Sequence, residues 1–377
     1  MPTNKHTAKS NVSLDPNKFE NIHQIGGIRT ATLDCPAACG GRGVRVALVD
    51  TGAGLRFTVA LDRGGDIVDA RYNQFALAYL SPNELLPPSH AYHSGIEWLH
   101  GWAGGLVTTC GPQYVGGPRE EDGVKTSLHG RYSNQPAAVE QVINPDPQRG
   151  QLHMLLGLRA RDSRVFGPVI EVRRAIRCTL GEPEILIEDE VTNRANTRTA
   201  HNWLYHCNLG YPLLDQGARF VYRGRAQYWV LPPPPGQTLL QPLDAAGMNR
   251  LKRVPGALAE HAGFGERGLI VEVPPGRGGI CHIGLLNHRI GLGLGLSYPA
   301  KAMPRMAHWQ HFGPRGAYVS GLEPFCGSLI GKALDTHRAA AQYLEPGESR
   351  HYWLKIRVLA TVQEQQALAD CDGPVTP

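Results

Sequence analysis

Val169-Ile170-Glu171-Val172-Arg173-Arg174-Ala175-Ile176, the turn Gly181-Glu182-Pro183, and then Ile185, Ile187, Asp189 and Val191 decide the fold class. Side chains two apart on an extended chain share a face, so this alternation reads as two strands. A third strand is expected from about Ala200 to Leu209. Such short turns imply antiparallel pairing, because parallel neighbours need crossovers of a dozen or more residues.

The same grammar extends outward. Val44, Val46 and Leu48 share one parity, Asp50-Thr51-Gly52-Ala53-Gly54 supplies turn chemistry, and Leu55, Phe57 and Val59 resume it, which reads as a hairpin. Gly65 to Asn73, Gly268 to Leu296, Ala317 to Leu322 and His351 to Leu359 read as further strands. Between Glu84 and Leu99 the pattern loosens, and Pro87-Pro88 with His90, His93 and Glu97 implies an excursion over the surface or across an open cleft. Pro232 to Pro235 reads as a stiff extended connection within one domain, since strands continue on both sides. The 45 Gly and 29 Pro residues exceed what a helical protein accommodates. The expectation is an all-β protein built as one large antiparallel β-sandwich over residues 21–362, with a leader at 1–20 and a tail at 363–377.

Hydrophobic content of 42% and charged content of 19% describe a globular chain, and the net charge of +5 is spread without a basic cluster, so nucleic acid is not expected as a partner. The eight cysteines are dispersed; only Cys35 and Cys39 lie close together, there is no Cys-x-x-Cys, and a structural zinc site is not expected. Most of them read as small buried hydrophobes of a reducing compartment. No segment approaches the ~18 apolar residues of a membrane span, and the first residues lack the apolar core of a signal peptide. A cytoplasmic protein with no membrane partner is the expectation.

Three polar groups stand out: His129 in Thr126-Ser127-Leu128-His129-Gly130-Arg131, His206 in Tyr205-His206-Cys207-Asn208-Leu209-Gly210, and Glu323 in Gly321-Leu322-Glu323-Pro324. Two imidazoles and a carboxylate brought together would supply an acid and a base. Leu128-His129-Gly130 resembles the Leu-His-Gly-Gly signature of galactose mutarotases. Gly321-Leu322-Glu323-Pro324 resembles the segment carrying their catalytic glutamate, and Glu190 to Asn193 through Asn208-Leu209 resembles the strand pair ending in their Asn-His-x-Tyr-Phe-Asn-Leu motif. Gly104-Gly105-Leu106, Thr109-Cys110-Gly111 and Tyr205-His206-x-Asn208 with Gly210-Tyr211-Pro212 are similar to a less characterised branch of aldose 1-epimerase-like proteins. The resemblance spans roughly Val44 to Leu359. One departure stands out: aligning Asn208-Leu209 with the family's Asn-Leu puts Leu204 where histidine is expected. His206 lies two residues on, on the same face and displaced by roughly 7 Å.

The resemblance implies a cofactor-free sugar isomerase acting on a small-molecule carbohydrate, with Glu323 as base, His206 as acid, and His129 steadying a ring hydroxyl or the developing charge. Asn208 would hold another hydroxyl. Arg63 could reach a hydroxyl or form a hairpin ion pair with Asp62 or Asp66. Trp309 and Gln310 suit a cleft rim, because aromatic faces stack on sugar C–H faces and amides bond hydroxyls. His93 and Glu97 are further rim candidates, and would bind a metal with His100 only if one helix aligned all three. Two other readings remain open: an isomerase, epimerase or lyase moving a carbon-bound proton of a modified sugar, and a non-catalytic carbohydrate-binding or sensor protein. The oligomeric state also stays open, a homodimer included.

Overall fold

The computed structural model describes residues 15–34, 43–121, 123–231 and 240–372. Cys35, Cys39, the Pro232–Pro235 run and most of the leader lie outside them.

Val169–Thr179 and Glu184–Asn193 are strands and pair antiparallel, with Val172 opposite Val191 and Ile176 opposite Ile187. They sit within an eight-stranded sheet ordered Ala137–Ile143, His153–Ser163, Val169–Thr179, Glu184–Asn193, Ser349–Leu359, Leu292–Pro299, Ile280–Asn287 and Arg219–Val221. The third strand, Trp203–Leu209, does not join its predecessor as the turn argument expects. It crosses to a seven-stranded sheet ordered Gln241–Leu243, Arg225–Leu231, Glu266–Glu272, Arg305–Phe312, Tyr318–Cys326, Trp203–Leu209 and Thr108–Cys110. All seven residues of Trp203–Leu209 are buried, a composition that only an interior strand covered on both faces accommodates. The 44–59 hairpin and Asp66–Tyr72 belong to a separate five-stranded sheet.

The two large sheets enclose the main core. Leu156, Val172, Ile176, Ile187 and Leu354 on one side share it with Trp203, Tyr205, Cys207, Leu269, Met306 and Leu322 on the other. Five of the cysteines, Cys110, Cys178, Cys207, Cys281 and Cys326, are buried free thiols. Within the segment expected as a tail, Val362–Ala369 is a helix opened by a Thr361–Glu364 capping box, and Leu368 packs on Val221, Leu286 and Leu359. No helix among the described residues is long and apolar enough to cross a membrane.

One polar assembly interrupts the core. Arg174, on the apolar row of its strand, is buried and donates from Nε and Nη2 to the two carboxylate oxygens of Asp189, both at 2.8 Å. Its remaining donors reach Gly65 O at 3.1 Å, Gly64 O at 3.3 Å and Thr109 Oγ1 at 2.8 Å, and the Tyr205 hydroxyl donates to Asp189 at 2.6 Å. Asp66 lies 3.6 Å away and accepts the Thr109 backbone N–H. Arg174 thus links the eight-stranded sheet to the small sheet and to two strands of the seven-stranded sheet.

Removing one partner of a buried, hydrogen-bonded ion pair strands the other charge in an apolar interior. Asp189→Ala should therefore lower unfolding stability by about 3–5 kcal/mol in a urea titration. Replacing both residues, Arg174→Met with Asp189→Leu, should cost less than Asp189→Ala alone. A single substitution that moves the midpoint no further than an ordinary surface change would contradict this role.

Candidate active site

Side chains of Trp203–Leu209 alternate between the faces of the seven-stranded sheet. Tyr205 and Cys207 enter the main core, while Leu204 packs on the opposite face with Cys110, Ile270, Ala307 and Phe325. His206 shares the face of Leu204 and sits opposite Thr108. On the other neighbouring strand Cys207 pairs with Leu322 and Asn208 with Gly321, which brings Glu323 beside His206. His206 Nε2 and Glu323 Oε1 are 3.2 Å apart, both side chains buried. The Glu323 carboxylate folds back over Gly321: a Cβ there would stand 2.3 Å from Oε1. Glycine at 321 is what admits the carboxylate to this position.

An aromatic frame surrounds the pair. The Trp309 and Trp102 rings lie 5.5 and 5.9 Å from the His206 ring, centroid to centroid. His129 stands edge-on to His206 at 5.2 Å and rests against Trp98 at 4.9 Å. Each indole N–H is fixed by the protein: Trp98 to Ser133 Oγ at 3.1 Å, Trp102 to Thr108 Oγ1 at 3.1 Å, Trp309 to Glu266 Oε2 at 2.7 Å. His129 is held with a left-handed backbone (φ 56°), and its Nδ1 accepts the Gly116 N–H at 3.4 Å, which leaves the proton of the neutral ring on Nε2.

Burial sets the charge state. It pushes the Glu323 carboxyl well above the usual carboxylate range, with the nearby Glu266 adding to the rise. It pushes His206 well below the usual imidazole value, helped by His129, and lowers His129 to about 4. The favoured state is a neutral imidazole beside a protonated carboxyl. The 3.2 Å contact lacks hydrogen-bond alignment and leaves Glu323 Oε1 buried without a hydrogen-bond partner; His206 Nδ1 and the neighbouring Asn208 Oδ1 are likewise buried and unpartnered. Unpartnered buried polar atoms are rare in folded proteins and concentrate where chemistry or binding occurs.

The other expected site residues divide. Trp309 faces the pair. Gln310 points the other way, into the main core, where it accepts from Arg267 Nε at 2.8 Å and donates to Leu251 O at 2.7 Å; it is no rim residue. Asn208 lies on the right face, but its amide N–H groups go to the carbonyls of Gly105 and His206, leaving only Oδ1 to offer. Arg63 forms an ion pair with neither Asp62 nor Asp66 and has its guanidinium turned inward. It donates to Ser133 O at 2.7 Å and Gly101 O at 2.8 Å, clamping the segments that carry His129, Trp98 and Trp102. His93 is 2.6 Å from Asn134 Nδ2, and Glu97 is exposed beside His100 at 3.6 Å. A 3-10 turn at His90–His93 and a short helix at Trp98–Gly101 replace the single helix that would align them, and among the described residues no His/Cys/Asp/Glu group has metal-binding geometry.

Trp98, Trp102, Glu266 and Gly321 are the members that sequence reasoning missed. The four-residue spacing of Trp98 and Trp102 was a usable signal for two indoles on one side of a helical turn, and Gly321 shares the strand parity of Glu323. Nothing local marks Glu266. A surface concavity of about 420 Å³ lies elsewhere, on the small sheet, lined by His23, Arg29, Asp50, Arg56, Asp69 and Arg71 among others. Its Asp50 and Arg56 already pair at 2.7 Å, and it holds none of the acid–base groups above.

The sandwich is shared with solved proteins of low sequence identity. A Klebsiella pneumoniae protein, provisionally assigned as an aldose 1-epimerase, superposes with a TM-score of 0.73 at 17% identity, covering 91% of this chain and 94% of its own. A galactose mutarotase-like protein of Clostridium acetobutylicum gives 0.60 at 10% identity, with 89% and 99% covered. An Escherichia coli protein with the same provisional assignment as the first gives 0.51 at 15% identity, with 88% and 99% covered. No curated protein matches the chain by sequence. The fold is that of the galactose mutarotase-like proteins, and, with residues 41–358 matching its model, the chain belongs to the family described as domain of unknown function DUF4432.

Proposed function

We propose that this protein is a sugar isomerase of the aldose 1-epimerase type, interconverting the anomers of a free sugar or sugar derivative with side-chain acid–base groups alone. The observation that carries the proposal is the buried His206–Glu323 pair at 3.2 Å, framed by Trp102 and Trp309. Opening a cyclic hemiacetal takes a proton from the anomeric hydroxyl and gives one to the ring oxygen. These two oxygens share one carbon, so an acid and a base in contact can serve both from the same side. Burial favours the assignment in which His206 accepts the hydroxyl proton and Glu323 supplies one to the ring oxygen, the reverse of the roles implied by the sequence resemblance. Ring closure after rotation of the aldehyde returns both protons. His129, through Nε2–H, would steady the oxygen on which charge develops, and the Trp309 face suits an apolar sugar face.

Freshly dissolved aldoses followed by polarimetry or NMR exchange should show faster anomer interconversion for at least one sugar. Glu323→Gln keeps the shape but removes the transferable proton, so turnover should fall by about 10²–10⁴-fold with affinity little changed. His206→Asn should behave likewise, while Trp309→Ala should weaken binding first. Binding without turnover in the unmodified protein would favour the sensor reading. Deuterium entering a carbon position from heavy water would favour carbon-bound proton transfer.

The pH profile tests the charge assignment. Activity requires an unprotonated His206, whose affinity for protons is depressed, and a protonated Glu323, whose affinity is raised. Activity should therefore be lost on the acid side only well below the ordinary histidine value of about 6.5, and on the alkaline side only well above the ordinary glutamate value of about 4.3. A broad plateau is expected, its alkaline limb displaced upward from the ordinary glutamate range by the burial of Glu323. A narrow bell confined between those two ordinary values would contradict the neutral-pair assignment.

A further inference from the structure

Glu266 opens the strand next to the one that carries Trp309, which in turn adjoins the strand of Glu323. Gly268 lies opposite Trp309, and Glu266, two residues before it, shares its face. The half-buried Glu266 carboxylate accepts the Trp309 indole N–H at 2.7 Å, and the same indole stands 5.5 Å from the His206 ring. Two carboxyl groups therefore occupy one partly dry face, separated by a strand. Around Glu323 stand the His206 imidazole and the Cys110 thiol, with the Cys207 thiol on the opposite face of the same sheet; burial keeps both thiols protonated. Around Glu266 stand the Trp309 indole and the His311 imidazole, whose Nδ1 is 2.7 Å from Gly265 O. Among the described residues no guanidinium or ammonium group forms an ion pair with either carboxylate.

A negative charge on Glu266 opposes a second one on the same face, and so adds to the burial that already favours the protonated Glu323. The more exposed Glu266, with an indole donor on its oxygen, is the better seat for the charge. We propose that Glu266 is a positioning residue of this site: it carries the negative charge, holds the Trp309 indole against His206, and reinforces the burial that keeps the transferable proton on Glu323. This rests on reading His206 and Glu323 as the base and acid of the proposed reaction. Glu266 itself donates nothing to the sugar; it acts through Trp309 and through its field.

The test is a titration of the sugar-free protein carrying glutamate labelled with ¹³C at the side-chain carboxyl, with Glu323→Gln used to assign the Glu323 resonance. Glu266→Gln keeps an oxygen that can accept the indole N–H, so the fold and the Trp309 position are retained while the charge is lost. The Glu323 midpoint should fall by roughly one pH unit in Glu266→Gln, because a neighbouring negative charge that opposed its ionisation is gone. In Glu266→Asp, which keeps the charge, it should stay near the unmodified value. The alkaline limb of the anomer-exchange profile should move down with the midpoint. An unmoved midpoint in Glu266→Gln overturns the proposal, as does an equal shift in Glu266→Asp, which would assign Glu266 a packing role alone. A shifted midpoint in a protein that accelerates no sugar's anomer exchange upholds the coupling and sinks the catalytic reading instead.

Discussion

The bidentate bridge from Arg174 to Asp189 ties the two large sheets and the small sheet together through one buried guanidinium. One guanidinium, buried in an apolar core, holds a carboxylate of its own sheet, two carbonyls preceding a strand of the small sheet, and the hydroxyl of Thr109. Tyr205 completes the set through Asp189. Tyr205 and Thr109 each precede or follow a residue of the candidate-site face: His206 is next to Tyr205, and Thr108, which fixes Trp102, is next to Thr109. Desolvating these charges offsets much of their attraction, so the bridge specifies more than it stabilises. A slip of one residue in Trp203–Leu209 would turn His206 into the core and leave Asp189 without the Tyr205 hydroxyl.

With the back of the sheet pinned, the front follows from burial. The carboxylate and the imidazole sit side by side in an apolar, aromatic setting, where each charged form is disfavoured. The two groups then differ in the useful direction, one holding a proton and the other able to take one. That a leucine stands at 204 and the histidine at 206 has a structural sense. Leu204 pairs with Phe325 and packs in the apolar cluster beneath the tryptophans, whereas His206 comes level with Glu323.

Much of this was legible in the sequence, for reasons that differ by level. Period-two alternation in Val169–Ile176 and Ile185–Val191 is a local property of strands, so the strands and the all-β class could be read directly. Their distribution between two sheets is not local: nothing between Asn193 and Trp203 announces that the chain changes sheet. His129, His206 and Glu323 were visible as polar residues in short distinctive motifs, and the structure brings His129, which sits in a turn, and Glu323, on a strand, to His206. Gln310 is not at the rim with its neighbour Trp309, because adjacent strand residues face opposite ways. The partners of Arg63 are not legible locally: a guanidinium in a turn offers the same donors to a hydroxyl, a carboxylate or backbone carbonyls, and only the fold brings Gly101 and Ser133 within its reach. Glu266 lies 57 residues before Glu323 in the chain and meets it only through sheet order.

The most direct measurement of the central claim is a crystal structure of the Glu323→Gln protein soaked with an aldose that the unmodified protein isomerises. The account predicts a pyranose whose anomeric and ring oxygens both lie within hydrogen-bond distance of His206 and the side chain at 323, with a C–H face against Trp309. A sugar seated in the concavity of the small sheet, or one in the aromatic frame with its anomeric carbon turned away from the pair, would contradict it.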